Sequence, residues 1–329
     1  MKKIFLLFFL FHILNADAQV LRKRTVTLMG SRWDITIVAK TRDAAEQNID
    51  TVIAEVSRIE NLISDWIPQS QIGQVNSNAG IKPVKVDREV FDLTKRALNL
   101  SKITGGAFDI SFAAMDRIWK FDGSMTAMPS PEAIKKSVEK VGYKNIVLDS
   151  LNSTIYLKLK GMKIGFGALG EGYAADMGRK LMQRKGIKAG IINGSGDMST
   201  WGKQPNGKYW NIGITNPFKT DTILAVIPIK QGSVVTSGSY EKFVVFNGKR
   251  YSHIINPITG YPATGLLSVT VFGPSAEMAN GFSTSMMVLG KDSALKFIKR
   301  FPAYTYIMVT DRGWIYSSPK LNFKKHQLK

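Results

Sequence analysis

The sequence predicts an α/β fold, an α+β arrangement of mixed sheets with helices, built as a single compact unit. Three observations lead there. Stretches with apolar residues every three or four positions are interleaved with short runs that alternate apolar and polar, so helices and strands share one core. No internal repeat, low-complexity tract or flexible linker divides the chain. With 329 residues and 44% hydrophobic content, there is enough chain to bury a sizeable core.

Residues 1–18 combine a basic start (Lys2, Lys3), an apolar run from Ile4 to Leu14 and the small-x-small pattern Ala16-Asp17-Ala18. They read as a cleaved secretory signal peptide, leaving residues 19–329 as the exported domain. The apolar run falls short of the roughly 20 residues that a membrane-spanning helix needs. The chain has no cysteine, which excludes thiolate nucleophiles, zinc-thiolate sites, disulfides and a lipid-anchor cysteine together. Its formal net charge of +20 suits an anionic ligand and a peripheral contact with a membrane surface. Nucleic acid is set aside, because the basic residues are scattered in nothing longer than pairs such as Lys135-Lys136 and an exported protein meets little of it.

From Val26 to Val38 the chain alternates like one strand, interrupted by Met29-Gly30-Ser31, where glycine suggests a bulge or the close approach of another group. A helix follows over Ala44–Ile63, with Ile49, Val52, Ile53, Val56, Ile59 and Ile63 on one buried stripe. The polar segment 64–80 reads as an ordered loop headed by Trp66, whose ring plugs the core or covers a ligand, core plugging being the commoner role. A second helix over Arg88–Ile103 stops at Thr104-Gly105-Gly106 and delivers Ala107-Phe108-Asp109 into an irregular segment. Asp109 reads equally as a cap for the next helix or as a ligand contact.

Ser130-Pro131-Glu132 opens a further helix to about Val141. Strands are expected at 146–148, 154–159 and 162–166, then a helix over 171–185 and a strand over 189–192. Gly165 to Gly170 match G-x-G-x-x-G ahead of that helix. The next strand ends at Asn193-Gly194, without the acidic residue a nicotinamide fold wants, and Asp197 comes too late in a loop. A phosphate contact at the helix start remains, since amides there meet anions in any fold. Asn193-Gly194-Ser195-Gly196-Asp197 is a second glycine-rich turn, either a plain connection or part of a site.

Thr236 to Pro262 holds His253, the one histidine outside the leader and the basic tail. Strands 243–246 and 250–255, joined at Asn247-Gly248, form a hairpin that carries this imidazole, and Asn256-Pro257 with Thr259-Gly260 turn the chain back toward it. The alternative is a buried structural histidine. Helix 276–289 aligns Glu277, Asn280 and Thr284 on one face, either a solvent side or an oxygen-rich set for a hard cation such as magnesium.

Taken together, seven motifs in order resemble the FAD:protein FMN transferase family, often called ApbE, over nearly the whole mature chain. They are Met29-Gly30-Ser31, the Trp66 loop, Gly105 to Asp109, Ala168 to Asp176, Asn193 to Asp197, Ser237 to Glu241, and His253 to Pro262, with Ser283-Thr284 beyond. The resemblance implies a unit of two intimate lobes with flavin between them, in the periplasm. It implies magnesium-dependent transfer of the FMN half of FAD to a threonine or serine hydroxyl on exported domains of membrane redox proteins, releasing AMP. Carried onto this chain, FAD contacts fall at Met29, Trp66, Ala107, Phe108, Asp109, Gly165, Glu171 and Ile254. Metal contacts fall at the carbonyl of Ala168 and at Glu277, Asn280 and Thr284, and the family's histidine falls on His253. Its imidazole, ordinarily titrating near about 6.5, either accepts the hydroxyl proton or holds a phosphate.

Three departures stand out. The common family pattern has aspartate where this chain has Gly165, Asn256 and Asn280. Glu277, one turn before Asn280, is the expected source of the missing charge. Two other readings follow from these losses: an FAD-binding homologue acting as carrier or interaction partner, and an FAD pyrophosphatase yielding FMN and AMP.

Overall fold

The structure, a computed structural model, describes residues 19–240 and 242–321. Residues 1–18, read from the sequence as a signal peptide, Glu241 and His326 lie outside the described residues. The centre is an eight-stranded sheet whose spatial order follows the chain: β1 (Val20–Leu28), β2 (Ser31–Ala39), β3 (Ala189–Gly194), β4 (Asp197–Trp201), β5 (Gly232–Gly238), β6 (Leu266–Gly273), β7 (Thr305–Thr310) and β8 (Ile315–Ser317). The α/β class therefore holds, and each ladder in this sheet is antiparallel.

The expected interrupted strand at 26–38 is instead a hairpin. Met29 and Gly30 both have positive φ, 51° and 71°, and form the two-residue turn between β1 and β2. Such a pair matches the right-handed twist of its flanking strands, which is why the glycine marks a reversal and not a bulge.

Three helices pack against the sheet and against one another: α1 (Arg42–Ile63), α3 (Gly170–Arg184) and α4 (Ala276–Ile298), the last broken at Gly290. Falling between α1 and α3 in sequence, α2 (Arg88–Ile103) ties onto α1 through an Arg58–Glu89 ion pair and onto α4 through Arg96–Glu277. Thr41 caps α1 by accepting from the Ala44 amide, and the predicted stripe Ile49, Val52, Val56, Ile59 and Ile63 is buried in the main core. A second core on the opposite face gathers Trp210, Ile212 and Ile214 from a two-stranded ribbon against Val38, Val234 and Phe272.

Several boundaries move. Residues 64–80 contain a short helix, Gln71–Ser77, capped by Ser70, and the helix begun at Pro131 ends at Ser137. Strands form at Ile146–Asp149 and Thr154–Leu157, but 162–166 stays irregular, its chain held by Asn76, which bonds both the amide and the carbonyl of Ile164. The hairpin is shorter than expected, Phe243–Phe246 paired with Lys249–Ser252, so His253 sits just past the ladder.

Candidate active site

The C-terminal ends of β3 and β5, the start of α3 and the inner face of α4 converge on a cavity of about 560 Å³. It is lined by Ala107, Phe108 and Asp109, by Ala168, by His253 and Ile254, and by Asn280 and Thr284. Seven of the residues expected to bind flavin or cation thus meet around one space with His253. A second cavity of about 470 Å³ adjoins it through the shared Gly167 and takes Met29, Trp66 and Glu171. A third, about 240 Å³, opens behind His253 and runs to Asp65, Arg117 and Phe121. The first two spaces are each in the range of small-ligand sites, and joined they suit a long two-part ligand.

Two predicted residues line none of these cavities. Gly165 is one, and a side chain there has little room: a Cβ would lie 3.1 Å from both Ala113 and the Asp65 carboxyl. Glu277 is the other. Its carboxylate is buried and accepts from Arg96 Nε at 2.7 Å, so the charge expected to compensate for Asn280 is spent on an ion pair away from the cavity.

The group that sequence reasoning missed is Asp197. It begins β4, is buried, and accepts hydrogen bonds from the Asn280 amide Nδ2 and from the Gly172 backbone in the first turn of α3. Burial pushes its carboxyl up to about 8, with Glu171 and Asp176 adding to the effect. The signal was present in the Asn193–Asp197 turn, which is a strand connection and a cavity wall at once. Ser195 and Gly196 have φ of 50° and 106°, Asn193 accepts from the Gly196 amide at 2.9 Å, and both turn residues line the main cavity.

On α4, Thr284 donates to Asn280 Oδ1 at 3.2 Å, and Ser237 at the end of β5 bonds Thr284 and Ser283 at 3.2 and 2.8 Å. The outcome is a cluster of amide and hydroxyl oxygens beside a buried carboxylate. Among the described residues no three of His, Cys, Asp and Glu converge as a metal site. The donor set nevertheless fits magnesium, which takes hard oxygens and ordinarily keeps waters and substrate phosphates as its remaining ligands. Asn280, Thr284 and the Ala168 carbonyl would hold it, and Glu277 would not.

His253 continues the hairpin pairing by donating its backbone N–H to Lys242 O at 3.0 Å. Its ring Nδ1 lies 3.1 Å from the same carbonyl, which only accepts, so Nδ1 carries the hydrogen and Nε2 is the basic nitrogen of the neutral ring. Asn256 closes the turn that follows: its side chain accepts from Ile258 N and its carbonyl from Gly260 N, both at 2.9 Å. An amide oxygen serves that turn as well as a carboxylate does, so the fold tolerates this departure.

Trp66 does not plug the core. It is 71% exposed, and Arg117 lies over its ring at 4.6 Å from the centroid. Asp109 turns out to be a cap: it accepts from Ser111 N and Oγ at 2.8 and 2.6 Å and from Tyr143 N at 2.7 Å, and burial raises its carboxyl against the pull of those bonds. Glu171 accepts from Ser31 Oγ at 2.6 Å, and Met29 donates its amide to Glu60 at 3.0 Å, so the β1–β2 turn is anchored over the second cavity.

Residues 29–308 match the ApbE family. The chain belongs to that family. Named FAD:protein FMN transferases align along most of it: one from Treponema pallidum is 29% identical over 303 residues, 87% of this chain and 83% of the relative. Another, from Salmonella typhimurium, is 30% identical over 289 residues, covering 86% and 82%. Among solved structures, the ApbE protein of Thermotoga maritima superposes with a TM-score of 0.81 at 29% identity, covering 92% of this chain and 98% of that one. The apo flavinyl transferase ApbE of Pseudomonas stutzeri gives 0.80 at 25% identity, covering 92% and 95%. The ApbE frame explains why G-x-G-x-x-G occurs without a nicotinamide fold: here Gly167 and Ala168 turn into α3 from an irregular segment beside an antiparallel sheet.

Proposed function

We propose that this ApbE-family chain is an FAD:protein FMN transferase, exported to the periplasm, which moves FMN from FAD to a threonine or serine hydroxyl and releases AMP. The observation that carries this reading is the convergence of Phe108, Asp109, Ala168, His253, Asn280 and Thr284 on one cavity that adjoins that of Trp66 and Glu171. The names of its relatives point the same way.

In the reaction, the acceptor oxygen forms a bond to the FMN phosphorus while the pyrophosphate P–O bond on the AMP side breaks. The hydroxyl proton goes to His253 Nε2, the ring being held by Lys242. The amides at Gly167 and Ala168, ahead of α3, meet the phosphates, and the exposed Trp66 face stacks on a ring of the ligand. Magnesium, when bound, neutralises charge that builds on the pyrophosphate. The acceptor is an exported domain of a membrane redox protein. No helix among the described residues is long and apolar enough to cross a membrane.

The test is mass spectrometry of residues 19–329 with FAD, magnesium and a candidate acceptor domain. Acceptor gaining FMN, with AMP released in equal amount, is the expected result. Free FMN and AMP without acceptor would instead make it an FAD pyrophosphatase. Intact FAD held tightly would make it a binding homologue, the reading that the neutral Asn280 favours.

A further inference from the structure

One carboxyl on the wall of the second cavity serves neither of the helices beside it. Asp65 follows Ser64, the C-cap of α1, where a negative charge gains nothing because the carbonyl end of a helix is itself negative. The next helix takes its cap from Ser70. Asp65 is exposed, yet it lines both the second cavity, with Trp66 and Glu171, and the third, with Arg117 and His253. Gly165 is what makes room for it. A Cβ there would lie 3.1 Å from both Cγ and Oδ2 of Asp65, and the Gly165 amide is fixed by donating to Ile110 O at 3.0 Å. The two positions share one space, and a carboxyl enters it from Asp65 where the family pattern would bring it from position 165.

Asp65 and Trp66 are neighbours in the chain, so a ring stacked on the indole brings the sugar bonded to it toward the carboxyl. The adenine of FAD carries a ribose whose two adjacent hydroxyls form a fixed fork, and an acidic side chain is the usual partner of such a hydroxyl in dinucleotide sites. The open ribityl chain on the flavin ring holds no such fork. The volumes agree, with about 470 Å³ beside Asp65 for adenosine and about 560 Å³ in the main cavity for the larger flavin. We infer that Asp65 binds the ribose of FAD, its carboxyl oxygens accepting from the 2′ and 3′ hydroxyls of the adenosine half whose base lies on Trp66. This rests on the FAD reading of the site given above. The role asks only for acceptor oxygens: desolvation raises the Asp65 carboxyl from its ordinary 3.8, against its own amide and the pull of Arg117 and Lys163, and a carboxyl keeps acceptor capacity in either state.

Calorimetry with two ligands tests this, FAD and an FAD whose adenosine carries neither the 2′ nor the 3′ hydroxyl, each titrated in the presence of magnesium. Asp65→Ala should bind FAD about tenfold more weakly than the unaltered protein, as the loss of one or two hydrogen bonds implies. The two proteins should bind the dideoxy ligand within about twofold of each other, because donors and acceptor are then removed together. Their melting temperatures should coincide within about 2 °C, as befits an exposed residue that acts on the ligand and not on the fold. FAD bound equally well by Asp65→Ala, or a loss that persists in full with the dideoxy ligand, overturns the inference while leaving the transferase reading intact. If the unaltered protein does not bind FAD, that reading falls and the inference with it. Should Asp65→Ala fail to fold, as circular dichroism would show, Asp65→Asn is titrated with the same two ligands: a loss of FAD affinity that the dideoxy ligand does not share supports the inference, and its absence overturns it.

Discussion

The imidazole Nδ1 of His253 sits 3.1 Å from the carbonyl oxygen of Lys242, the residue whose carbonyl also takes the His253 backbone N–H at 3.0 Å. One carbonyl therefore fixes both the chain and the ring, and it dictates the tautomer. His253→Ala should lower the transfer rate by about 10²- to 10⁴-fold, the usual weight of a general base. FAD affinity should change by less than about threefold, which calorimetry checks. A large loss of affinity with an unchanged rate at saturation would mean the ring holds a phosphate instead.

Trp66 is exposed, and Arg117 lies over its ring. Trp66→Ala should therefore leave the melting temperature nearly unchanged, within about 0.5 kcal/mol, as surface substitutions do. It should weaken FAD binding by about 1–3 kcal/mol, the range for loss of a base-stacking aromatic. A substantial drop in melting temperature would show that the indole supports the fold after all.

Gly172 lies where α3 meets α4, and a Cβ there would fall 2.6 Å from the Ala276 carbonyl oxygen. Gly172→Ala should cost about 1–3 kcal/mol of stability, as overpacking does, because the obstacle is backbone that cannot swing aside. Unchanged chemical denaturation would contradict the close approach.

Glu89 accepts two bonds from Arg58, at 2.8 and 3.0 Å, and one from Tyr173 at 2.7 Å. Arg58 chiefly, and Tyr173 after it, hold this carboxyl below its ordinary value of 4.5. A carboxylate lowered on folding lends stability at pH above that ordinary value, and the contribution is lost as pH falls through the lowered one. Glu89→Gln should thus be less stable than the unaltered protein at neutral pH by about 1 kcal/mol. The gap should close below pH 4.5 in denaturant melts; a gap that is constant with pH would count against the ion pair.

The elements with a long period were legible in the sequence. The helix at Arg88–Ile103 has the predicted ends, its stop falling at Thr104-Gly105-Gly106 as read. So was most of the main cavity, since its motifs are runs of chain that stay together in space. What misled was local chemistry with two solutions. Met29-Gly30 reads as a bulge or a turn until its partner strand is known. Residues 162–166 have strand composition, but Asn76 takes the backbone groups of Ile164 that a ladder would need. Glu277, expected to serve beside Asn280, pairs with Arg96, and Asp197, to which the sequence reading gives no role, takes the Asn280 amide, because such pairing is decided by neighbours distant in sequence.

The spatial order of the central sheet has a consequence for how this chain is assembled. Strands β1 and β2 are made first, but about 150 residues separate Ala39 from the β3 strand that must pair with it. During synthesis, the growing chain carries an unpaired β2 edge rich in buried-type side chains, Trp33, Ile35 and Ile37. Such an edge is a point of mispairing between nascent copies. The segment that delays its closure is the one that supplies Trp66, Phe108 and Ala168, so the cavity walls are synthesised before the sheet that anchors them can close. Slow refolding, limited by long-range strand pairing and made worse at high protein concentration, is the kinetic cost of that layout.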